Sequence, residues 1–494
     1  MTALLPLSVV LPLIGAALCL LVSRSRVVQR VVSVATLVAG VGMAIAILVT
    51  VDADGVTATQ VGAWAAPVGI SLVADLMAAL FLLVSLLTIL TVLLFAIGQG
   101  VDNRSVFLPC YLVLTAGVAG SFLSGDLFNL FVCFEMMLIA SYVLITIGAT
   151  STQVRSGMTY VVINLTASTL FVTVVAFVYG ATGTLNFADL SQKFPAIPAN
   201  LQLAIGLALL VMFGVKAAIF PVFGWLPDSY PNAPTAVTAV FAGLLTKVGV
   251  YAIIRTQTSL GLTELGDVIL VVAGITMVIG VIGAIAQDDI KRILSFHIVS
   301  QIGYMIMGLG LFTVAGLAGA VFFVVHQIPG KTVLFLAGGL VEETTGTGTL
   351  HRLGGMLRTA PVVAAAFLIP ALSLGGVPPF AGFVAKLSLV EAGLAREAWI
   401  IVGVALFASI LTMVSMTKIW AGVFWGAPDE EPPVPDARGA TRFRPPQLMT
   451  AATLAMVGLT LAIAVFAGPI YDLAERAAVD LVDPTAYAEA VMGR

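Results

Sequence analysis

Four of the seven lysines in this chain stand where lysines are rare. Lys216, Lys247, Lys331 and Lys386 fall inside long apolar runs, and so do Glu135 and His326. A lysine or an aspartate at the centre of a membrane-spanning helix costs about 2.5–3.5 kcal/mol on insertion scales. Facing lipid, the four lysines and the glutamate would together cost on the order of 10 kcal/mol. They must therefore face the protein interior, paired or hydrated. One acid at depth cannot neutralise four lysines. A lysine held out of water beside like charges gives up its proton more readily, and a series of groups that take and release protons is a relay. A single buried lysine also admits the reading of half a structural ion pair; the set, spread over several apolar runs, reads as a proton path.

A second polar feature lies in the run that starts near residue 291. His297, Ser300, Gln301 and Tyr304 are spaced i, i+3, i+4 and i+7, on one face of a helix. The face begins beside Asp288, Asp289, Lys291 and Arg292. Two readings stay open: a polar stripe that packs the helix against its neighbours, or a hydrated proton entry with His297 as its titrating member. His326 and Lys331 flank Pro329-Gly330, where a mid-helix proline frees a carbonyl that a water or the lysine could take. Asp75, Asp126 and Glu391 fall near the ends of apolar runs, where a charge can reach the interface. Cys19, Cys110 and Cys133 lie inside apolar runs without C-x-x-C spacing and read as small buried hydrophobes. No disulfide, metal, cofactor or nucleic-acid partner is expected.

These residues need elements to hold them at depth. The chain of 494 residues is 60% hydrophobic and 10% charged, against about 25% charged in soluble domains. It reads as an all-α integral membrane protein with about fourteen transmembrane helices, at 2–23, 31–51, 71–97, 106–124, 127–148, 157–180, 201–225, 234–256, 266–286, 291–312, 315–342, 361–394, 398–426 and 447–470. The first run lacks a basic leader and is followed by Arg24, Arg26 and Arg30, so it reads as a retained span rather than a signal peptide. Pro221, Gly224 and Pro227 interrupt span 7, and Gly375, Gly376, Pro378 and Pro379 interrupt span 12, predicting broken helices. Two breaks five spans apart suggest inverted five-helix repeats. The organisation is then helices 1–3 (1–105), a first repeat of helices 4–8 (106–256), a second of helices 9–13 (257–426), and a cytoplasmic loop, helix 14 and external tail (427–494). Loops after odd spans carry twelve lysines and arginines; loops after even spans, with the tail, carry five. The positive-inside rule places the odd ends in the cytoplasm and both termini outside.

Three segments carry a family resemblance. FNLFVCFEMMLIASYVLITIG, GVKAAIFPVFGWLPDSYPNAPTAVTAVFAGLLTKVGVYAIIR and LGGVPPFAGFVAKLSLVEAG resemble the span 5, span 7–8 and span 12 segments of antiporter-like membrane subunits. That family includes subunits L, M and N of bacterial respiratory complex I and the large subunits of Mrp antiporters. Within it, QDDIKRILSFHIVSQIGYMIMGLG looks most like the D subunit of the Mrp type. The chain runs 24 residues past the last span, with no room for the lateral helix of the L-type subunit or the extra spans of the Mrp A subunit. The resemblance covers nearly the whole chain. It implies a coupled pair at Glu135 and Lys216, a central relay at Lys247, a link through His326 and Lys331, and a terminal relay at Lys386. It implies a proton-translocating subunit of a secondary monovalent cation/H+ antiporter, with Na+ as the expected cation. The setting is a bacterial cell membrane, and the partners are other hydrophobic antiporter subunits. A proton-pumping subunit of a complex I-like redox enzyme or membrane-bound hydrogenase remains the alternative, and an uncoupled solute carrier or structural membrane subunit a third reading. No covalent chemistry is expected.

Overall fold

A computed structural model describes residues 3–426 and 446–493. In chain order the elements are α1 (Leu4–Leu21), α2 (Arg26–Asp54), β1 (Thr57–Gln60), β2 (Ser71–Ala74), α3 (Leu76–Gln99), α4 (Phe107–Leu123), α5 (Leu127–Ile145), α6 (Ser151–Thr182) and α7 (Phe187–Lys193). Then come α8 (Ala199–Ala217), α9 (Trp225–Ser229), α10 (Thr235–Val240), a π-helical turn (Phe241–Leu245), α11 (Thr246–Ser259), α12 (Gly266–Ile285), α13 (Ile290–Gly310) and α14 (Val314–Thr345). The last are α15 (Met356–Thr359), α16 (Pro361–Gly375), α17 (Ala381–Ala395), α18 (Trp399–Phe424), α19 (Gln447–Val465), α20 (Ala467–Val482) and α21 (Thr485–Met492). Among the described residues, twelve helices are long and apolar enough to cross a membrane, taking α10, the π turn and α11 as one; α4 and α16 are shorter apolar helices. The chain is thus a multi-pass helical membrane protein.

Burial sorts the helices. The stretch Thr235–Ser259 is buried throughout, α14 is buried from Gly316 to Val341 and α13 over nearly all its length, whereas most residues of α1, α2 and α6 are half-buried or exposed. The centre of the bundle is where the sequence spends its polar residues, because there protein groups rather than lipid receive them. Caps set several helix starts: Asp75, Asp126 and Asp289 each accept from a backbone N–H of the first turn of α3, α5 and α13.

The structure revises the sequence reading in several places. Residues 71–74, read as the start of span 3, form a strand antiparallel to β1 with Thr57 opposite Ala74. An apolar run of four residues is ambiguous between strand and helix, and Asp75 ends the ambiguity by capping α3. Span 14 stops at Val465, and the expected tail folds into α20 and α21. Gly468 and Pro469 sit in the first turn of α20, where proline is tolerated, and Ala474, Ala477, Ala478 and Leu481 are buried. Arg255 and Lys291, counted as loop charges, are buried in ion pairs: Arg255 Nη2 lies 2.5 Å from Asp75 and Lys291 Nζ 2.6 Å from Glu342. The loop at 427–445, with its predicted cytoplasmic arginines 438, 442 and 444, lies outside the described residues, as does Arg494.

Contacts between loops obey one parity. Ends of odd predicted spans meet one another through Arg30–Asp102, Arg292–Asp228 and Lys418–Asp288. Ends of even spans and the C-terminal helices meet through Arg476–Asp52 and the bond from Gln60 to the Val491 carbonyl. Helices that alternate direction across a bilayer produce this segregation. Lys418, a fifth lysine within predicted span 13, also donates to the Ile285 and Gln287 carbonyls at the end of α12, and its ammonium holds the Asp288 carboxyl below the usual carboxylate range.

Candidate functional site

The buried ionisable residues form a file through the middle of the bundle. At one end, Lys216 sits in the last turn of α8. Its Nζ donates to the Asn164 carbonyl (3.2 Å) and to Ser168 Oγ (3.1 Å), both on α6. The Ser168 hydroxyl in turn donates to Glu135 Oε1 on α5. Glu135 and Lys216 make no direct ion pair within 4 Å; a single hydroxyl stands between them. Glu135 is half-buried, on the side of α5 that also exposes Val132 and Ile139.

Lys216 ends where it does because α8 breaks there. Ala218 adopts a left-handed conformation (φ 61°), and the N–H groups of Ala218 and Ile219 return to the carbonyls of Val215 and Gly214. The Trp225 indole N–H donates to the Val215 carbonyl (3.0 Å), and Thr276 Oγ1 accepts from the Phe220 N–H (3.1 Å). Irregular backbone at membrane depth must be satisfied inside the protein, and these side chains do so.

Lys247 follows the π turn in the next helix. Its Nζ donates to the Ala242 carbonyl (2.6 Å), within the π turn, and lies 3.4 Å from Thr246 Oγ1. A π turn misaligns the carbonyl ladder and leaves acceptors free, and one of them takes the ammonium. The same turn packs on α14. A Cβ on Gly243 would clash with Thr332 Oγ1 and lie 3.2 Å from the Ile328 carbonyl, so the glycine lets the two helices approach this closely. This brings α14 at Ile328–Thr332, and with it Lys331, beside Lys247.

Lys331 is fully buried, and its Nζ has no hydrogen-bond partner among the described residues. Helix α14 runs unbroken through Pro329, and the lysine does not take the carbonyl that proline frees. On the preceding turn His326 packs edge-on against Phe323 and lies 3.3 Å from Gln327 Nε2; Gln327 donates weakly to Gln301 Oε1 (3.4 Å) on α13. Buried atoms left without partners cluster here: His297 Nδ1, Gln301 Nε2, Gln327 Oε1 and Lys331 Nζ.

The file ends at the break between α16 and α17. Lys386 Nζ donates to the Leu374 carbonyl (2.8 Å) and to Ser409 Oγ on α18 (2.9 Å), and lies 5.1 Å from the Tyr304 ring centroid. Gly376 is left-handed (φ 82°), and the N–H groups of Gly376 and Val377 return to Ser373 and Leu372.

The face of α13 divides its four polar residues among three neighbours. His297 Nε2 pairs with Ser415 Oγ (2.8 Å) and Tyr304 donates to the Ala405 carbonyl (2.6 Å), both on α18. Gln301 turns to α14, and Ser300 donates to the Met277 carbonyl of α12 (2.9 Å). All four are buried. Ser300 therefore serves helix packing, while the other three line the side facing Lys331 and Lys386. Sequence reading singles out neither Ser168 nor Gln327; each is an ordinary polar residue on a polar-flecked helix until its distant partner is known. Asp75 and Asp126 are helix caps, and Glu391 is exposed. Among the described residues, no three His, Cys, Asp or Glu side chains converge to hold a metal ion.

Two broken helices and a buried file of lysines define an antiporter-like membrane subunit. Residues 124–412 match the family described as NADH:quinone oxidoreductase/Mrp antiporter, transmembrane. The chain is 42% identical to the D subunit of the Na(+)/H(+) antiporter of Alkalihalophilus pseudofirmus over the full length of both. It is 36% identical to the D subunit of the Na(+)/H(+) antiporter of Bacillus subtilis over 98% of both. It belongs to this family. Among solved structures it resembles, end to end, a chain of the Mrp complex from Dietzia sp. DQ12-45-1b (TM-score 0.92, 36% identity). It covers 99% of a chain of an archaeal membrane-bound sulfane sulfur reductase (TM-score 0.88, 27%). A chain of respiratory complex I from Thermus thermophilus shares the fold (TM-score 0.82, 24% identity, 97% of this chain and 99% of that one).

Proposed function

We propose that this chain is the proton-translocating subunit of a hetero-oligomeric secondary antiporter. It exchanges a monovalent cation, Na+ in the first instance, for protons across a bacterial cell membrane. The observation that carries this reading is the file Glu135–Ser168–Lys216, Lys247, Lys331–His326 and Lys386, with each member buried or half-buried and supplied by α5, α6, α8, α11, α14 and α17. Arrival of a proton at one member disfavours protonation of the next, because like charges at low dielectric repel. Lys216 and Glu135 act as a coupled pair, Lys247 as the central member, His326 and Lys331 as the link, and Lys386 as the far terminus. His297, Gln301 and Tyr304 form the side branch through which we route proton entry.

Both termini and the C-terminal helices lie outside the cell in this reading, on the charge asymmetry of the loops. Residues 106–256 and 257–426 are two inverted repeats. The pairing of Asp126 with Asn186 and of Asp289 with Thr349 supports them: the two bridges are displaced by the same 163 residues (126 to 289, 186 to 349) and join loops of opposite parity. The redox-complex alternative is less favoured, since relatives named as antiporter subunits match at 42% and 36% identity and the redox-complex chains at 27% and 24%.

The test uses the whole complex in inside-out vesicles from a bacterial strain lacking its own antiporters, with a pH-sensitive dye. Collapse of a respiration-generated pH gradient on addition of NaCl, absent in vesicles without this chain, is expected. Proton movement that needs an electron donor and ignores every monovalent cation would overturn the assignment. The isolated chain in liposomes, under an imposed sodium gradient, is expected to give no sodium-driven proton flux.

A further inference from the structure

The bond geometry at Ser168 points to a role for that residue, and we propose that its hydroxyl is the obligatory proton bridge between Lys216 and Glu135. The proposal rests on the proton-translocating reading above. Ser168 accepts from Lys216 Nζ (3.1 Å) and donates to Glu135 Oε1. The polarity is defined by chemistry: an ammonium only donates, an ionised carboxylate only accepts, and a hydroxyl does both at once. A concerted shift therefore moves one proton without moving a heavy atom. An N–H bond of Lys216 breaks as an O–H bond forms on Ser168, while the original Ser168 O–H breaks and its proton bonds to Glu135. The start is an ammonium and a carboxylate; the end is a neutral amine and a carboxylic acid, with the serine unchanged in composition. The new Ser168 O–H points at the neutral amine, so the reverse transfer can run at once; once Glu135 has lost its proton and Lys216 has regained one, rotation of the hydroxyl back toward Glu135 resets the bridge for the next forward transfer.

Three observations single out this serine. Lys216 and Glu135 have no direct contact within 4 Å, so the transfer needs an intermediary. Nearby hydroxyls on α6 are spent on their own helix: Thr166, Thr169 and Thr173 each donate to the carbonyl four residues back. Ser168 instead spends its hydrogen on Glu135, across to α5. Finally, α6 and α14 end in the same turn, Thr182-Gly183-Thr184 and Thr345-Gly346-Thr347, with the first threonine of each donating to the third residue's carbonyl at 3.0 Å. Counted back from those turns, Ser168 occupies the place that Lys331 occupies in the other half. The first half thus carries a neutral two-way conductor where the second carries a cation.

The experiment compares Ser168→Ala, Ser168→Thr and Ser168→Val in the whole complex, reading sodium-dependent proton flux against pH in vesicles of matched abundance. Threonine keeps the hydroxyl; valine has the same shape without it. Ser168→Ala and Ser168→Val are expected to lose flux about a hundredfold across the pH range, the lower end of what a positioned proton-transfer group supplies. Ser168→Thr is expected to stay within about threefold with an unaltered profile. A merely structural serine would make threonine and valine alike. Equal flux in those two variants, or full flux with an unchanged pH profile in Ser168→Ala, overturns the bridge. If Glu135→Ala still abolishes flux in that case, the relay reading stands and only the bridge falls. If Ser168→Ala fails to assemble, the threonine–valine pair decides.

Discussion

The helices α5–α8 and α13–α17 solve one geometrical problem with opposite electrostatics. Each set starts at an aspartate cap, Asp126 or Asp289, and returns through a Thr-Gly-Thr turn. Each then reaches a break where a left-handed residue, Ala218 or Gly376, precedes a proline by three positions. Even the backbone bonds at the breaks correspond: 218 to 215 and 219 to 214, against 376 to 373 and 377 to 372. Upon this common frame the first set places a carboxylate, a hydroxyl and an ammonium in hydrogen-bonded series. The second places Lys331, Lys386 and two imidazoles at its centre with no acid beside them among the described residues; its half-buried carboxylate, Glu342, is paired with Lys291 near the start of α13. Lys216 lies two residues before its break. Lys386 lies ten residues after its own and reaches back to the carbonyl of Leu374, the position that corresponds to Lys216. The two cations thus arrive at equivalent breaks from opposite sides. The backbone hydrogen bonds at the two breaks correspond, and the charged side chains are distributed unequally about them.

The contrast is broken or sharpened most directly by removing one cation from each half. Lys216→Met and Lys331→Met are both expected to cut sodium-dependent flux by about a hundredfold or more, as loss of a positioned proton carrier does. Their stabilities should part. Lys216→Met takes the ammonium from Ser168 and Glu135 and costs about 1–3 kcal/mol, the desolvation penalty of polar groups left unmatched. Lys331 has no partner to lose, so Lys331→Met leaves stability unchanged or raises it. Thermal denaturation of the purified complexes reads the difference. Equal destabilisation would mean that Lys331 is paired in the assembled state, and the contrast would fail.

Lys247 joins the halves and should have to titrate rather than merely be positive. Arginine keeps its proton throughout the accessible pH range, and its guanidinium is still a donor for the Ala242 carbonyl that Lys247 occupies. Normal assembly with flux reduced about tenfold or more is expected; full flux in a well-expressed variant would remove Lys247 from the path. A smaller effect is expected at the side branch. His297→Ala removes the partner of Ser415 and should alter the pH profile of antiport more than it lowers abundance. An unaltered profile would return the whole face of α13 to helix packing, where Ser300 already belongs.

What can be read from the sequence follows the range of the physics involved. Hydropathy is local, and it locates the apolar runs. Proline and glycine act on their own turns, so both broken helices are visible. Lysines at depth announce themselves by cost alone. The partners that give those lysines meaning lie far along the chain: Ser168 is 48 residues from Lys216, and Asp75 is 180 from Arg255. No periodicity encodes such pairings. The π turn before Lys247 is hidden because Phe241–Leu245 has the same composition as an ordinary helical turn, and only its packing on α14 distinguishes it. Helices α20 and α21 are hidden because short amphipathic segments after the last span look like a polar tail until α14 and α3 are there to receive the first and α7 and β1 the second.

The repeated frame can be tested apart from the charges, and this is the smallest effect expected. Gly183 and Gly346 close the two corresponding turns at φ 72° and 78°. A Cβ added at either would meet nothing within 4 Å, so replacement by alanine is penalised through the backbone alone. That penalty is about 1–2 kcal/mol for an L-residue in the left-handed region. Gly183→Ala and Gly346→Ala should therefore each lower the stability of the complex by that amount, and the two values should agree within about 0.5 kcal/mol. Because the turns lie at opposite ends of the bundle and share no partner, the double variant should show the sum. Flux per assembled complex should stay near that of the unaltered chain, since neither glycine touches the file of charges. Thermal denaturation of the single and double variants measures the stabilities, and the vesicle assay the flux. A cost at one turn several times that at the other, or a double variant far from additive, would mean that the turns do different work. The likeness of the two halves would then stop at the hydrogen-bond pattern.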